Sequence, residues 1–177
     1  MTPPARTLVA GVGNIFLGDD GFGVEVVRHL TPRQLPPGVE VVDVGVRGVH
    51  LAYQLLDGYD TLVLVDATAR GGPPGTVYLI EAGEPGEAEP GAAPLDGHRM
   101  SPDAVLALLG TLCAGTGSTP PRRTVVVGCE PADVGEGIGL SEPVAAAVPE
   151  AVRLIRRLLA GDQARTPPLT AADPAAN

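Results

Sequence analysis

Five short runs of β-branched and aliphatic residues are spread along this chain, with segments of helical periodicity between most of them. That alternation constrains the fold more than any other feature, because strands buried on both faces need helices to cover them. The runs are 6–12 (RTLVAGV), 39–43 (VEVVD), 61–66 (TLVLVD), 76–80 (TVYLI) and 124–129 (TVVVGC). Gly11, Gly13 and Asn14 close the first of them, since these residues break regular structure and permit unusual backbone angles. A helix is expected from Gly21 to Leu30, with Val24, Val27 and Leu30 on one face, and another from Val49 to Leu56. Ser101 and Pro102 supply an N-cap and a first-turn proline for a third helix reaching about Leu112. A last one starts near Ser141, with Val144, Val148, Ala151, Ile155 and Leu158 at helical spacing and a kink expected at Pro149. The fold class is therefore α/β: a three-layer α/β/α sandwich around a mostly parallel five-stranded sheet.

Composition sets the limits of this reading. A length of 177 residues suits one domain, read as residues 1–160, and the polar, Ala- and Pro-rich stretch 161–177 reads as a disordered C-terminal tail. Aromatic residues are only 3% of the chain, so the core must be aliphatic. The formal charge of −9 would repel a polyanion over most of the surface, which excludes nucleic acid as a partner. The longest apolar stretch, around Ala104 to Ala114, falls well short of the roughly 20 residues that a membrane span needs. The opening MTPPARTLVAGVGN lacks the basic-then-apolar build of a signal peptide, so a cytoplasmic location is expected. Cys113 and Cys129 are too few for a disulfide framework or a four-thiolate metal site.

In sheets of this kind ligands sit beyond the carboxyl ends of the strands, where strand order reverses. Asp19 and Asp20 follow the first strand, and Asp66 ends the third. His98 comes at the end of a Gly-, Pro- and acid-rich loop, Glu81 to Gly97. If the first and third strands are neighbours, as in the common 2-1-3 order, their ends lie roughly 5 Å apart. Asp20 and Asp66 then face each other, with His98 closing the third side, and such a set suits a first-row divalent metal. Plainer roles also fit these residues. Asp66 can cap a turn, one of Asp19 and Asp20 can serve a helix N-terminus, and His98, His29 and His50 can be surface groups. Cys129 ends the fifth strand and can be a small buried hydrophobe or a thiol facing the crevice.

The segment GVGNIFLGDDGFGVEVVRHL resembles the opening of nickel–iron hydrogenase maturation proteases. The likeness continues through VEVVDVGVRG, TLVLVDAT, PGTVYLI, GHRMSP, VVVGCEP and GIGLSEPV, and so covers Leu8 to Leu159. The resemblance implies a phosphorylase/hydrolase-like fold and an endopeptidase that removes the C-terminal extension of a hydrogenase large-subunit precursor. It further implies that Asp20, Asp66 and His98 bind nickel and carry the catalysis, the nickel being carried by the substrate. Where relatives have Asp-Gly-Gly-Thr after the second strand, this chain has Asp43, Val44, Gly45 and Val46. Asp43 and Gly45 are expected to help position the substrate. The chain has no Gly-x-Ser-x-Gly elbow, so a metal or a carboxylate is expected to activate water. Three other readings compete: a nucleotide-binding domain built on Gly11, Gly13 and Asp43, a cysteine hydrolase pairing Cys129 with His98, and a non-catalytic nickel-binding chaperone.

Overall fold

The computed structural model of the chain describes residues 5–81 and 102–161. Its strands are β1 (Thr7–Val12), β2 (Val39–Gly45), β3 (Thr61–Ala67), β4 (Val77–Glu81) and β5 (Arg123–Cys129). Its helices are α1 (Phe22–Arg28), α2 (Gly48–Leu55), α3 (Pro102–Thr116) and α4 (Glu142–Gly161). The strands form one sheet in the order β2-β1-β3-β5-β4. Four of them run parallel, and β4 lies antiparallel on the outer edge of β5.

Period-two alternation splits the inner strands between two cores. Leu8 and Ala10 of β1 and Leu62 and Leu64 of β3 face Leu51 and Leu55 of α2 and Leu109 of α3. Val9, Val63, Val65 and Val127 face Phe22 and Val26 of α1 and Ile155 of α4. The side chains named are almost wholly removed from solvent, which accounts for the aliphatic runs in the sequence. Fold class and the β2-β1-β3 neighbourhood are as expected.

Several details differ from expectation. The first helix is split: a 3-10 turn at Gly18–Gly21 precedes α1, and the helix stops at Arg28. Strand β2 continues two residues past Asp43, and Glu81 still belongs to β4 rather than to the following loop. In α4 the buried residue of the last turn is Leu159, with Leu158 half-buried, and the helix runs on through Pro149. The antiparallel β4 follows from a short connection. Residues 68–76 cross over the end of β5, where the buried Glu130 carboxylate accepts hydrogen bonds from the backbone N–H of Arg70 (2.7 Å) and Gly71 (3.2 Å) and from the Tyr78 hydroxyl (2.8 Å). So few residues hold no crossover helix, which a parallel connection requires. The rest of the 81–97 loop, the Ser101 N-cap and the 161–177 tail beyond Gly161 lie outside the described residues. Among the described residues no helix is long and apolar enough to cross a membrane.

Candidate functional site

The site grows from the way β1 hands over to α1. After Val12 the chain turns at Gly13, whose φ of +131° is open to glycine but strained for other residues. A Cβ there would overlap the Asp20 carbonyl oxygen and come within 3.7 Å of Asp66 Oδ1. Gly13 thus lets the chain carrying Asp20 fold directly over the end of β3. The Asn14 N–H donates to Asp20 Oδ2 at 2.8 Å, which fixes that carboxylate at the mouth of the sheet. The Gly13 N–H donates to the Gly45 carbonyl at 2.9 Å and ties in the end of β2.

Asp66 reaches the same place from β3, at the point where that strand is paired with Gly128 of β5. Asp20 and Asp66 both line a cavity of about 490 Å³, together with Gly13, Asn14, Gly45 and Val46. Burial pushes the Asp66 carboxyl up to about 8, and the neighbouring Asp20 charge adds to the effect, while a hydrogen bond from Ala67 works against it. Two carboxylates set this close form a receptor for a cation, because a positive charge between them relieves their repulsion.

Asp19 has a different task from the one its sequence position suggests. It is fully buried, and neither the 3-10 turn nor α1 has a side-chain cap. Its carboxylate accepts hydrogen bonds from the N–H groups of Ala132 (2.8 Å), Asp133 (3.0 Å) and Ser141 (2.7 Å) and from the Ser141 hydroxyl (2.8 Å). Burial alone would raise its pKa, but these bonds together hold it below the usual carboxylate value. The Asp19 side chain therefore clamps the 132–141 segment against the turn that carries Asp20. Nothing in the local pattern marks this role, since its partners are 113 to 122 residues away.

The other candidates divide. Gly45 lines the cavity, whereas Asp43 is not among the lining residues and its carboxylate lies 4.0 Å from Arg28. His98 lies outside the described residues, although Ile80 and Pro102, on either side of that segment, both line the cavity. Among the described residues no group of three or more His, Cys, Asp and Glu side chains is placed to hold a metal. His29 and His50 are exposed, His29 lying 3.3 Å from Glu25. Cys129 packs in the α1/α4 core with no exposed surface, and burial pushes its thiol up to about 11. A thiol held there is inert at neutral pH, which counts against the cysteine-hydrolase reading.

Fold and cleft together define an α/β domain with a carboxylate pair at the switch point of its parallel sheet, where such sheets hold their ligands. The model of the hydrogenase maturation protease family (HycI) matches residues 24–158, and the chain belongs to that family. The hydrogenase expression/formation protein HupD of Rhizobium leguminosarum bv. viciae is 33% identical over 160 residues, 89% of this chain and 76% of that protein. Among solved structures, the hydrogenase maturating endopeptidase HybD from E. coli matches with a TM-score of 0.70 and 30% identity, covering 89% of this chain and 93% of that one. The [NiFe] hydrogenase maturation protease HycI from Thermococcus kodakarensis KOD1 matches at 0.63 and 26%, covering 88% and 93%. The chain is thus a protease of hydrogenase maturation.

Proposed function

We propose that this protease removes the C-terminal extension of a nickel-loaded [NiFe]-hydrogenase large-subunit precursor, working in the cytoplasm. Asp20, Asp66 and His98 grip the nickel, which arrives inside the substrate and serves as the recognition element. The observation that carries the reading is the convergence of Asp20 and Asp66 on one cavity, with a carboxyl there raised to about 8. A free enzyme with such a pair favours a proton or a cation between the carboxylates, so a substrate that brings its own cation is bound selectively. His98 precedes the cavity residue Pro102 by four residues, a span of at most roughly 14 Å, so its participation is within covalent reach.

The chemistry is metal-dependent and assisted by a carboxylate. Nickel held there would supply Lewis-acid polarisation, and the Asp20–Asp66 pair would take the proton that the attacking water releases as its oxygen bonds to the scissile carbonyl carbon. The C–N bond then breaks, and the proton passes to the leaving amine. Gly45 borders the cavity and helps position the incoming chain. Asp43 acts one step removed, through its place on β2 and its neighbour Arg28.

The nucleotide-binding alternative loses ground because the β1–α1 junction presents carboxylates where a pyrophosphate would sit. The test is mass spectrometry of the precursor's C-terminal end after incubation of its nickel-loaded and nickel-free forms with the protease. Trimming of the loaded form alone is expected, with at least a 100-fold loss, about 2.7 kcal/mol of barrier, in Asp20→Ala, Asp66→Ala and His98→Ala. Normal trimming by all three variants would overturn the assignment. Binding of the precursor without any cutting would favour the chaperone.

A further inference from the structure

A second cavity, larger than the first at about 690 Å³, lies between α1, α4 and the 138–140 segment. Its character departs from that of the chain as a whole. On a protein of formal charge −9, the described lining residues include Arg28, Arg153 and Arg156 against a single carboxylate, Glu25. The three guanidinium groups are weakly committed. Arg28 stands 3.8 Å from Glu25 and 4.0 Å from Asp43, and Arg156 donates, among the described residues, only to the neutral Gln34 side chain, at 2.6 Å. Arg153 makes no hydrogen bond or ion pair among the described residues. Between these cations the lining includes the apolar side chains of Ile15, Leu140 and Val152.

This groove and the carboxylate cavity stand back to back across one stretch of chain. Asn14, Leu17 and Asp20 line the cavity, while Ile15, Gly18 and Gly21 line the groove. The ridge above them carries two exposed hydrophobic side chains, Phe16 (61%) and Ile138 (79%). It is a fixed surface. The Gly18 N–H donates to the Gly137 carbonyl, and the Gly137 N–H to the Phe16 carbonyl, each at 2.9 Å. A protein whose scissile segment enters the cavity from the side of this ridge extends its surface into the groove.

We infer that the groove between α1 and α4 is a second docking site for the protein substrate, taking a precursor segment with apolar side chains flanked by carboxylates, remote from the bond that is cut. The inference rests on the proposed proteolytic reading, since it takes its occupant from it. Charge complementarity selects an acidic segment, and the apolar lining selects one with hydrophobic side chains. The ridge joins the two sites into one surface. Two-point attachment of this kind explains how a small protease chooses a folded precursor rather than any exposed peptide carrying a cation.

The test is steady-state cleavage of loaded precursor by the full-length chain and its variants. Arg153→Glu combined with Arg156→Glu is expected to raise KM at least tenfold, with the loss in KM rather than kcat and with an unchanged melting temperature. Arg157→Glu reverses one charge where the double variant reverses two, at an exposed α4 residue outside the groove, and should keep the wild-type KM. Ile138→Ser approaches the same surface without altering charge and should raise KM as well. Added salt should raise KM for the wild type and do so much less for the double variant. Wild-type cleavage with an unchanged KM in the double variant would overturn the docking site and leave the proteolytic reading standing. A KM rise of equal size in Arg157→Glu would overturn it too, by showing an effect of net charge alone. Failure of the wild type to cut loaded precursor would instead sink the proteolytic reading on which the occupant depends.

Discussion

At the scale of single residues the cavity sets a cost that the free enzyme bears. Asp66 has a folded-state pKa of about 8, raised first by burial and then by Asp20, against roughly 3.9 in an unfolded chain. The folded protein therefore holds this proton more tightly than the unfolded chain does. Its contribution to stability is fully present below about pH 4 and is lost as pH rises through about 8. Asp66→Asn removes the titration, so thermal melts of nickel-free protein should show the variant and wild type nearly equal near pH 4. By pH 8 the variant should be the more stable, by about 2 kcal/mol once discounted for contact with cavity water. A variant equally destabilised at both pH values would show that the Asp66 carboxylate is not under this strain. The stabilised variant should not trim precursor, which makes the residue a case of stability given up for function. The place of Asp66 and Asp20 at the cavity was legible in the sequence because one stands near the end of a strand and the other in the connection that leaves one, where α/β sheets collect their chemistry. Asp19 was not, because its hydrogen-bond partners become neighbours only when the last third of the chain has folded against the first.

At the scale of elements, the position of Asp20 depends on how closely α1 can sit on the sheet. Gly23, in the first turn of α1, rests on the backbone of β1 and β3: a Cβ there would overlap the carbonyl oxygens of Val65 and Val12. Gly11 meets the same helix from the strand side, against the Gly23 carbonyl and Val27. Gly23→Ala must lift the helix, since backbone atoms cannot step aside, and should cost about 3 kcal/mol in urea unfolding while lowering cleavage through displacement of Asp20. Gly110 in the middle of α3 offers the contrast, because a Cβ there meets nothing within 4 Å among the described residues. Gly110→Ala should stabilise by about 0.5–1 kcal/mol. If the two substitutions behaved alike, the tight seating of α1 would not hold. The strands themselves were readable to within two residues, since an aliphatic run buried on both faces has few other fates. The direction of β4 was not, because a run such as TVYLI looks the same in either direction. It is the short 68–76 connection and its Glu130 anchor that decide it. The 3-10 turn at Gly18–Gly21 was hidden for a similar reason: its geometry comes from Asp19 and the 132–141 segment, and local helical periodicity carries no trace of them.

At the scale of the whole molecule, the sheet divides the protein into two cores, and each holds one cysteine. Cys129 lies with α1 and α4, fully buried, and Cys113 lies with α2 and α3, 6% exposed. Both thiols are raised by burial, so neither reacts at neutral pH until its surroundings open. Alkylation of the native protein therefore reports the opening of each layer separately. The layers are not held alike. Helix α1 is seated on the sheet backbone through Gly23, and its entry is clamped by Asp19, whereas α3 packs chiefly against α2 and buries only Val105, Leu109 and Cys113. Peptide mapping after limited treatment with an alkylating reagent should find Cys113 modified several-fold faster than Cys129, and both far slower than in urea. Cleavage of precursor should survive modification of Cys113 alone, since that thiol does not line the cavity. Faster modification of Cys129 would place the weak seam of the molecule on the α1/α4 side, beside the carboxylates. A cavity whose Asp20 carboxylate is held by the Asn14 N–H, and whose entry turn is clamped by Asp19, should not have its softest layer there. The layer expected to open first is then the α2/α3 side of the cavity, where Pro102 and Asp103 begin α3 at its edge.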